Sequence, residues 1–294
     1  MRKERSMSET RRMGDILSYA TLGIMSILWI FPIIVIILHS FKVENGAYYK
    51  NIIPTNWTID NYTRLLRIGM SDLEKEQAYA QFDKWFLNTL FVAVIVCLIS
   101  TFFVLAVSYT MSRLRFKMRR TFMNVALILG MFPGFMSMIA TYMILKALGL
   151  EQTLTALILV YSGGTGLGFY VAKGFFDTIP KAIDEAAWID GATKFQVFTK
   201  ITMPLSKPII VYTVLQSFSG PWMDFIFVNY VMGTKKEKYT VALGLYRMID
   251  TAHIGEYYNQ FCAGAVLVSI PLAALFVAMQ KYYSEGLSGA VIQA

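Results

Sequence analysis

One carboxylate lies inside an apolar run that is long enough to cross a bilayer. Asp224 falls within Ile209–Met232 and is the only acidic or basic side chain in six such runs of the sequence. An ionised side chain at mid-bilayer costs roughly 2.5–3.5 kcal/mol on insertion scales, so it normally faces protein or water. Gly220 and Pro221 precede it and predict a break in the helical hydrogen bonds, which is tolerated beside a cavity. Asp224 is therefore a candidate for lining a solute path.

Aromatic and amide side chains accompany Asp224 at helical spacing. Four of them follow i, i+4, i+7 and i+11, which predicts that they share one stripe: Phe218, Trp222, Phe225 and Asn229. Aromatic faces beside an amide suit a sugar, which has apolar ring faces and hydroxyl edges. Tyr142, in the third apolar run, is a further candidate for the path. Helix packing and an aromatic belt at the membrane interface are the alternative explanation for all of these residues.

A charged stretch of small side chains, "DEAAWIDGA" from Asp184 to Ala192, interrupts the apolar sequence. Pro180 suits the first turn of a helix, where a missing N–H costs nothing. Gly191 suits a left-handed cap at the end of that helix. The stretch therefore predicts a short helix closed by a glycine.

A second short helix is predicted directly after this glycine. Thr193 and Gln196 have the spacing of a capping box, and Pro204 is expected to end the helix. The segment Thr178–Pro208 thus predicts a helix–Gly–helix hairpin that is too short and too polar to cross a membrane.

The composition of this hairpin favours docking to another protein. Four small residues would let a partner backbone come close: Ala186, Ala187, Gly191 and Ala192. Glu185 and Asp190 offer carboxylates to a basic partner, and a small apolar surface ringed by charge suits a docking helix. The alternative is an amphipathic loop on the membrane surface, but such helices favour Lys, Arg and bulky anchors.

The elements that position these residues are predicted to be membrane-spanning helices. The 294 residues are 56% hydrophobic and only 16% charged, whereas soluble domains carry about 25% charged residues. Six apolar runs reach the roughly 20 residues that a bilayer requires: Ile16–Leu38, Phe86–Met111, Phe122–Leu145, Leu154–Ala172, Ile209–Met232 and Phe261–Met279. The fold class is therefore all-α and polytopic. Pro133 should kink the third helix.

Basic residues predict the orientation of the spans. The short loop "SRLRFKMRRT", from Ser112 to Thr121, has five basic residues and no acidic one. Short loops rich in Lys and Arg stay in the cytoplasm. We therefore expect cytoplasmic N- and C-terminal segments at residues 1–15 and 284–294, around a transmembrane domain of residues 16–283. The hairpin, within residues 177–208, is expected on the same cytoplasmic side of the cell membrane.

The hairpin sequence resembles the EAA motif of permease subunits of ATP-binding cassette (ABC) importers. That motif is matched at Glu185, Ala186, Ala187, Gly191, Ile201 and Pro204, and the added Asp190 and Ala192 are similar to its carbohydrate branch. "FLNTLFVA", "SRLRF", "MFPGFMSMIATYMILKALGL" and "YTVALGL" resemble the maltose and maltodextrin type of inner permease, so the resemblance covers nearly the whole chain.

This resemblance implies a set of partners. The hairpin would be the coupling helix on a cytoplasmic ATPase, with Glu185 pairing to a basic residue there. Two ATPase subunits would bind ATP and Mg, so no cofactor is expected on this chain. A second, homologous permease would complete the path, and an extracytoplasmic binding protein would deliver the sugar from outside the bacterial cytoplasmic membrane. In that family substrate contacts come mainly from the partner permease, which weakens the assignment of direct sugar contacts to this chain.

The C-terminal "EGLSGAVIQA" resembles a family tail that enters between the ATPases, although the resemblance departs after Ser288. Maltodextrin is the favoured sugar by resemblance. Other oligosaccharides, including acidic ones such as alginate fragments, stay open.

Other function classes are disfavoured by the sequence. There is no HExxH, CxxC pair or Walker lysine loop, so an enzyme is not predicted. The two cysteines lie in or beside apolar runs and indicate no disulfide framework. A stand-alone channel or secondary transporter would not need the hairpin and would usually have paired intramembrane charges.

Overall fold

The computed structural model describes residues 7–44, 46, 51–131, 134–164 and 168–291, and in these residues it is all-α. An isolated antiparallel bridge between Lys42 and Trp57 is the one extended pairing in this described part. The α-helices, in chain order, are α1 (Met7–Ser40), α2 (Asp60–Leu65), α3 (Asp72–Gln77), α4 (Phe82–Arg113), α5 (Arg119–Gly130), α6 (Gly134–Ala147), α7 (Leu154–Gly163), α8 (Gly168–Thr178), α9 (Lys181–Ile189), α10 (Lys194–Gln196), α11 (Met203–Leu205), α12 (Lys207–Met223), α13 (Ile226–Met232), α14 (Val241–Met248) and α15 (Ile254–Val291).

Several helices are long and apolar enough to cross a membrane. Within the described residues these are Gly14–Ser40, Phe82–Arg113, Leu154–Thr178 and Ile254–Tyr282. α5 and α6 meet the same criterion as a pair bent by 99°; Pro133, the predicted kink, lies outside the described residues. The protein is therefore a multi-pass membrane protein, as predicted.

The predicted fifth span, Ile209–Met232, is not a single helix. α12 has 17 residues and ends at Met223, and two residues separate it from α13, which begins at Ile226. Pro221 removes one helical N–H, and the side chain of Asp224 accepts a hydrogen bond from Phe227 N (3.0 Å) and so starts a new helix. The predicted break is therefore present, but it falls after Met223, at Asp224 and Phe225, rather than at Gly220 and Pro221.

One compact unit consists of the described part of Met1–Met70 together with Met248–Leu267. The buried amide of Asn61 donates to Ser40 O (3.0 Å) and Lys42 O (2.8 Å). Asn259 Nδ2 donates to Lys42 O (3.0 Å) and Glu44 O (2.7 Å). These amides satisfy the last carbonyl group of α1, Ser40 O, which has no helical partner, and two carbonyl groups of the segment that follows α1.

A second unit consists of Ser71–Arg247 together with the described part of Val268–Ala294, and α4 is its central helix. α4 packs against α7, α8 and α12, and a buried cluster forms at one end: Val104, Leu105, Tyr109, Ala172, Phe176 and Ile209. Ser108 Oγ donates to Phe169 O (2.9 Å) between α4 and α8. Close packing and hydrogen bonds of this kind associate helices in a bilayer.

The opposite end of α4 is fixed by a tryptophan. Trp85 is 1% exposed, and its Nε1 donates to Lys236 O (2.8 Å). A Cβ at Gly244 would lie 2.1 Å from the Trp85 ring. Only glycine therefore lets α14 approach α4 this closely.

Candidate functional site

The first arm of the hairpin ends as the sequence predicts. α9 closes at Gly191, which has a φ of +84°. Gly191 N donates to Trp188 O (3.0 Å), and Ala192 N donates to Ala187 O (2.9 Å). This pair of bonds is the Schellman motif, which favours glycine at its left-handed position. The predicted glycine cap is confirmed.

The second arm begins with the predicted capping box. Thr193 N donates to Gln196 Oε1 (2.8 Å), and Gln196 N donates to Thr193 Oγ1 (3.2 Å). The arm ends one residue after Pro204. Wider π-helical turns over Val197–Thr202 lead into α11, which contains Pro204 and ends at Leu205. The predicted end of the second arm is therefore confirmed to within one residue.

One face of the hairpin is uncovered in this chain. Ile189 and Phe195, on either side of the glycine turn, are 87% and 73% exposed. The other predicted docking residues vary in exposure: Glu185, Ala186, Asp190, Gly191 and Pro204 are exposed, Ala192 and Ile201 are half-buried, and Ala187 is buried. The tip is thus an apolar surface beside two carboxylates, which is the composition that suits a protein partner.

The opposite face holds a buried ion pair that sequence reasoning missed. Arg113 Nε lies 3.1 Å from Asp184 Oδ2, and the two side chains are 2% and 3% exposed. Arg113 Nη2 also donates to Ile179 O (2.8 Å), at the start of the hairpin and just before α9. Both residues belong to quoted motifs, "SRLRF" and "DEAAWIDGA", but 71 positions separate them and their pairing depends on the fold.

A cavity of about 480 Å³ lies in the second unit, between α4, α7, α8 and α12. Its lining includes several hydroxyl and amide groups and one carboxylate: Val96, Ser100, Val104, Tyr161, Gly164, Gly168, Val171, Tyr212, Thr213, Gln216, Ser217, Gly220, Pro221 and Asp224. Small-molecule sites usually occupy roughly 300–1,000 Å³. These lining residues include no basic side chain.

Asp224 lies on this cavity at the break between α12 and α13. Its Oδ2 accepts a hydrogen bond from the Tyr161 hydroxyl (2.9 Å), and its Oδ1 accepts from Phe227 N (3.0 Å). Both oxygens are therefore held by neutral donors. Tyr161 was not singled out in the sequence, because its role depends on α7 packing opposite the helix break.

The predicted aromatic stripe does not form one face, because α12 ends inside it. Trp222 is buried and its ring lies 5.2 Å from Phe86 and 5.9 Å from Phe218. Phe225 stacks on Tyr246 at 4.5 Å. Asn229 Oδ1 accepts a hydrogen bond from Arg247 Nη2 (2.7 Å). None of these four side chains is among the residues that line the cavity.

The remaining candidate, Tyr142, lies near a neighbouring cavity without lining it. Its ring centre is 6.4 Å from that of Tyr230, and its hydroxyl is 3.5 Å from Glu151 Oε2. This cavity, of about 600 Å³, is lined by Phe135 and Thr141 from α6 and shares Tyr161 and Asp224 with the first. Asp224 thus stands between two cavities.

Comparisons with known proteins point to one family. The family described as "Binding-protein-dependent transport system inner membrane component" matches residues 104–289. The galactooligosaccharides transport system permease protein of Bacillus subtilis (strain 168) is 33% identical over 283 residues, which is 96% of each chain. The maltodextrin transport system permease protein of the same organism is 31% identical, over 96% of this chain and 97% of the relative. A maltodextrin transport system permease protein of Streptococcus pneumoniae (strain ATCC BAA-255 / R6) is also 31% identical, with the same coverage.

The fold is also similar to that of a solved transporter. A chain of a bacterial ABC transporter involved in the import of the acidic polysaccharide alginate aligns with a TM-score of 0.74. The alignment covers 95% of this chain and 99% of that one at 22% identity, so it supports the fold alone.

Proposed function

The chain belongs to the family of binding-protein-dependent transport system inner membrane components, and we propose that it is a permease subunit of an ATP-driven oligosaccharide importer. One observation carries the proposal. The hairpin with the uncovered tip leads directly into α12, and one face of α12 lines the cavity beside Asp224. A partner that moves the hairpin would thereby move the wall of the cavity.

The hairpin is the proposed contact with a cytoplasmic ATPase subunit. Ile189 and Phe195 would enter an apolar cleft on that subunit, and Glu185 would pair with a basic residue there. ATP and Mg would be bound by two such subunits, and closure of their dimer would move Pro180–Leu205 as a lever. The described residues of this chain would then supply the path rather than the hydrolysis.

The orientation follows from the same arrangement. Arg113 joins the hairpin to the end of α4 and is itself the first basic residue of the stretch Ser112–Thr121. We place this end of the bundle, with both termini, in the cytoplasm, because positively charged short loops stay inside. The contact of the C-terminal tail with the ATPases belongs to the same proposal; side chains after residue 282 lie outside the described part.

Asp224 and Tyr161 are the proposed polar part of the translocation path. The cavity offers hydroxyl, amide and carboxylate groups, which hydrogen-bond sugar hydroxyls, and its described lining holds no cation to pair with a uronate. The relatives named above are permeases for galactooligosaccharides and maltodextrin. We therefore favour neutral oligosaccharides, with maltodextrin first. Trp222, Phe218, Phe225 and Asn229 would support the helix break through packing.

A complete importer would need further subunits. A second permease would form the other half of the path and would supply most of the sugar contacts. An extracytoplasmic binding protein would release the sugar into the cavity when the spans face outward.

The decisive experiment is ATP hydrolysis by the complex, reconstituted in liposomes with its binding protein, across a panel of sugars. We expect stimulation by maltodextrins or galactooligosaccharides and none by alginate fragments. Stimulation by alginate fragments alone would overturn the neutral-sugar assignment. If no ATPase subunit co-purifies with the chain, the role of the hairpin is wrong.

A variant tests the proposed contact between the hairpin tip and the ATPase subunit directly. Glu185→Lys should reduce co-purification of the ATPase, because it reverses the charge beside the uncovered tip. Asp72→Lys makes the same charge change at a fully exposed residue of α3 and is the control. Equal ATPase recovery from both variants would contradict the proposed contact.

A further inference from the structure

The buried ion pair between Arg113 and Asp184 joins the hairpin to α4, which lines the cavity together with α12. We propose that Arg113 is a positioning residue that latches the hairpin to α4, so that α4 and α12 move together when the hairpin moves. This inference rests on the proposed function, because it assumes that the hairpin receives the force. It assigns to Arg113 and Asp184 a role in coupling rather than in docking or substrate contact.

The geometry of Arg113 is that of a clamp on the first arm. Its Nε faces Asp184 Oδ2 at 3.1 Å, and its Nη2 donates to Ile179 O at 2.8 Å. One planar guanidinium therefore holds the chain both before and within α9. An arginine can do this because its planar guanidinium spreads one charge over several nitrogen atoms, so that Nη2 can donate to Ile179 O while Nε faces the carboxylate, whereas a lysine carries a single point charge.

The second arm contacts the same end of α4. Tyr109, one turn before Arg113, has its ring centre 4.7 Å from that of Phe198 and 6.2 Å from that of Phe176. Phe198 belongs to the second arm, and Phe176 lies at the end of α8. Both arms are thus fixed to the last two turns of α4.

The pair is not arranged for stability alone. In the described part of the chain, Asp184 Oδ1, Arg113 Nη1 and Arg113 Nε are buried and have no hydrogen-bond partner, so the 3.1 Å approach of Nε to Asp184 Oδ2 is an ion-pair contact. A buried ion pair with unsatisfied atoms is often no more stable than an apolar pair of the same volume. A requirement for a directional link explains why charges are used at this position.

α4 carries this link to the cavity. Val96, Ser100 and Val104 lie at i, i+4 and i+8 on one face of α4 and line the cavity. α4 is unbroken from Phe82 to Arg113, so Arg113 lies about 20 Å along a continuous helix from Ser100. Without the latch, the first arm of the hairpin would lose its ionic link to α4, and movement would reach α4 through the packing of Phe198 on Tyr109.

The test compares sugar uptake with ATP hydrolysis in the reconstituted complex. Asp184→Asn keeps the side-chain volume but removes the charge, and Arg113→Lys keeps the charge but loses the fork. Each should lower the sugar taken up per ATP hydrolysed by about tenfold. The double variant should lose little more than either single variant, because both changes break one link. Lys173→Gln, which breaks an ion pair within α8 near the same end, is the control and should keep the wild-type ratio.

A readout that does not depend on transport separates this inference from the proposed function. Hydrogen exchange at the amides of Gly191 and Ala192 should quicken in Asp184→Asn and stay unchanged in Lys173→Gln. The latch is overturned if Asp184→Asn and Arg113→Lys both keep the wild-type ratio of sugar taken up to ATP hydrolysed. It is also overturned if the double variant loses the product of the two single losses, or if the variants reduce only the assembly of the complex. A wild-type complex that hydrolyses ATP without any response to sugar would instead overturn the proposed function, and the exchange result would still decide whether the latch exists.

Discussion

Asp184 and Asp224 are two carboxylates of the same helical unit with opposite surroundings. Asp184 is 2% exposed and lies against Arg113. Asp224 is half-buried at a helix break, accepts hydrogen bonds from a tyrosine hydroxyl and a backbone N–H, and borders two cavities. The Asp184 carboxylate is paired with a cation inside the protein, whereas the Asp224 carboxylate is held by neutral donors and borders open space.

This difference separates a structural charge from a charge that can meet a solute. Removing the partner of a buried ion leaves an uncompensated charge, so Asp184 should matter first for the stability of the hairpin. A carboxylate beside a cavity has room for a ligand or water and should matter first for transport.

The largest effect should come from removing the arginine. Arg113→Ala leaves Asp184 buried without a cation and should destabilise the protein by about 3–5 kcal/mol. The measurement is the apparent midpoint of thermal unfolding of the purified protein. The apolar double variant Arg113→Met/Asp184→Leu should be more stable than Arg113→Ala; a double variant that is less stable than either single change would contradict the comparison.

A smaller but functional effect is expected at the cavity. Asp224→Asn should reduce sugar uptake by about tenfold, because it removes the one carboxylate of the described cavity lining. Its unfolding midpoint should stay close to that of the wild type, because Asn caps a helix as well as Asp does. Asp224→Ala should additionally lose the bond to Phe227 N, at a cost of about 1 kcal/mol. Normal uptake by Asp224→Asn would remove this residue from the path.

Removing the tyrosine hydroxyl should have a modest effect. Tyr161→Phe deletes one of the two hydrogen bonds to Asp224 and should cost about 1 kcal/mol of stability. Tyr212→Phe, on the same cavity but without this bond to Asp224, is the matched control. The measurement is the midpoint of thermal unfolding of Tyr161→Phe and of Tyr212→Phe. Equal midpoints would show that the hydrogen bond from Tyr161 to Asp224 contributes nothing to stability.

The smallest effect is expected at a partly exposed ion pair. Lys173 and Asp177 pair at i, i+4 within α8, and their side chains are 14% and 41% exposed, against 2% and 3% for Arg113 and Asp184. Lys173→Gln should cost only about 0.5 kcal/mol, because solvent screens such pairs. A loss as large as that of Arg113→Ala would show that burial does not explain the difference between the two pairs.

Local features of the hairpin could be predicted from the sequence. The glycine cap at Gly191 and the capping box of Thr193 and Gln196 form as expected, since each depends on residues within a few positions of one another. The second arm likewise ends at Leu205, one residue after the end predicted at Pro204.

The aromatic stripe failed for a different reason. Its spacing assumed a continuous helix, but Pro221 and Asp224 divide Ile209–Met232 and turn Phe225 and Asn229 away from the cavity. The face of α12 that does line the cavity carries Thr213, Gln216 and Ser217, which have no unusual pattern in the sequence.

The sequence by itself determined the all-α membrane class, the hairpin with its caps, and the presence of a carboxylate at membrane depth, because apolar run length, local capping and charge are properties of neighbouring residues. Only the tertiary structure decided which carboxylate is paired. Arg113 meets Asp184 and Tyr161 meets Asp224 because α4 and α7 pack beside elements that lie more than 60 residues further along the chain. Contacts over such separations depend on how whole helices pack, and no local pattern of residues specifies them.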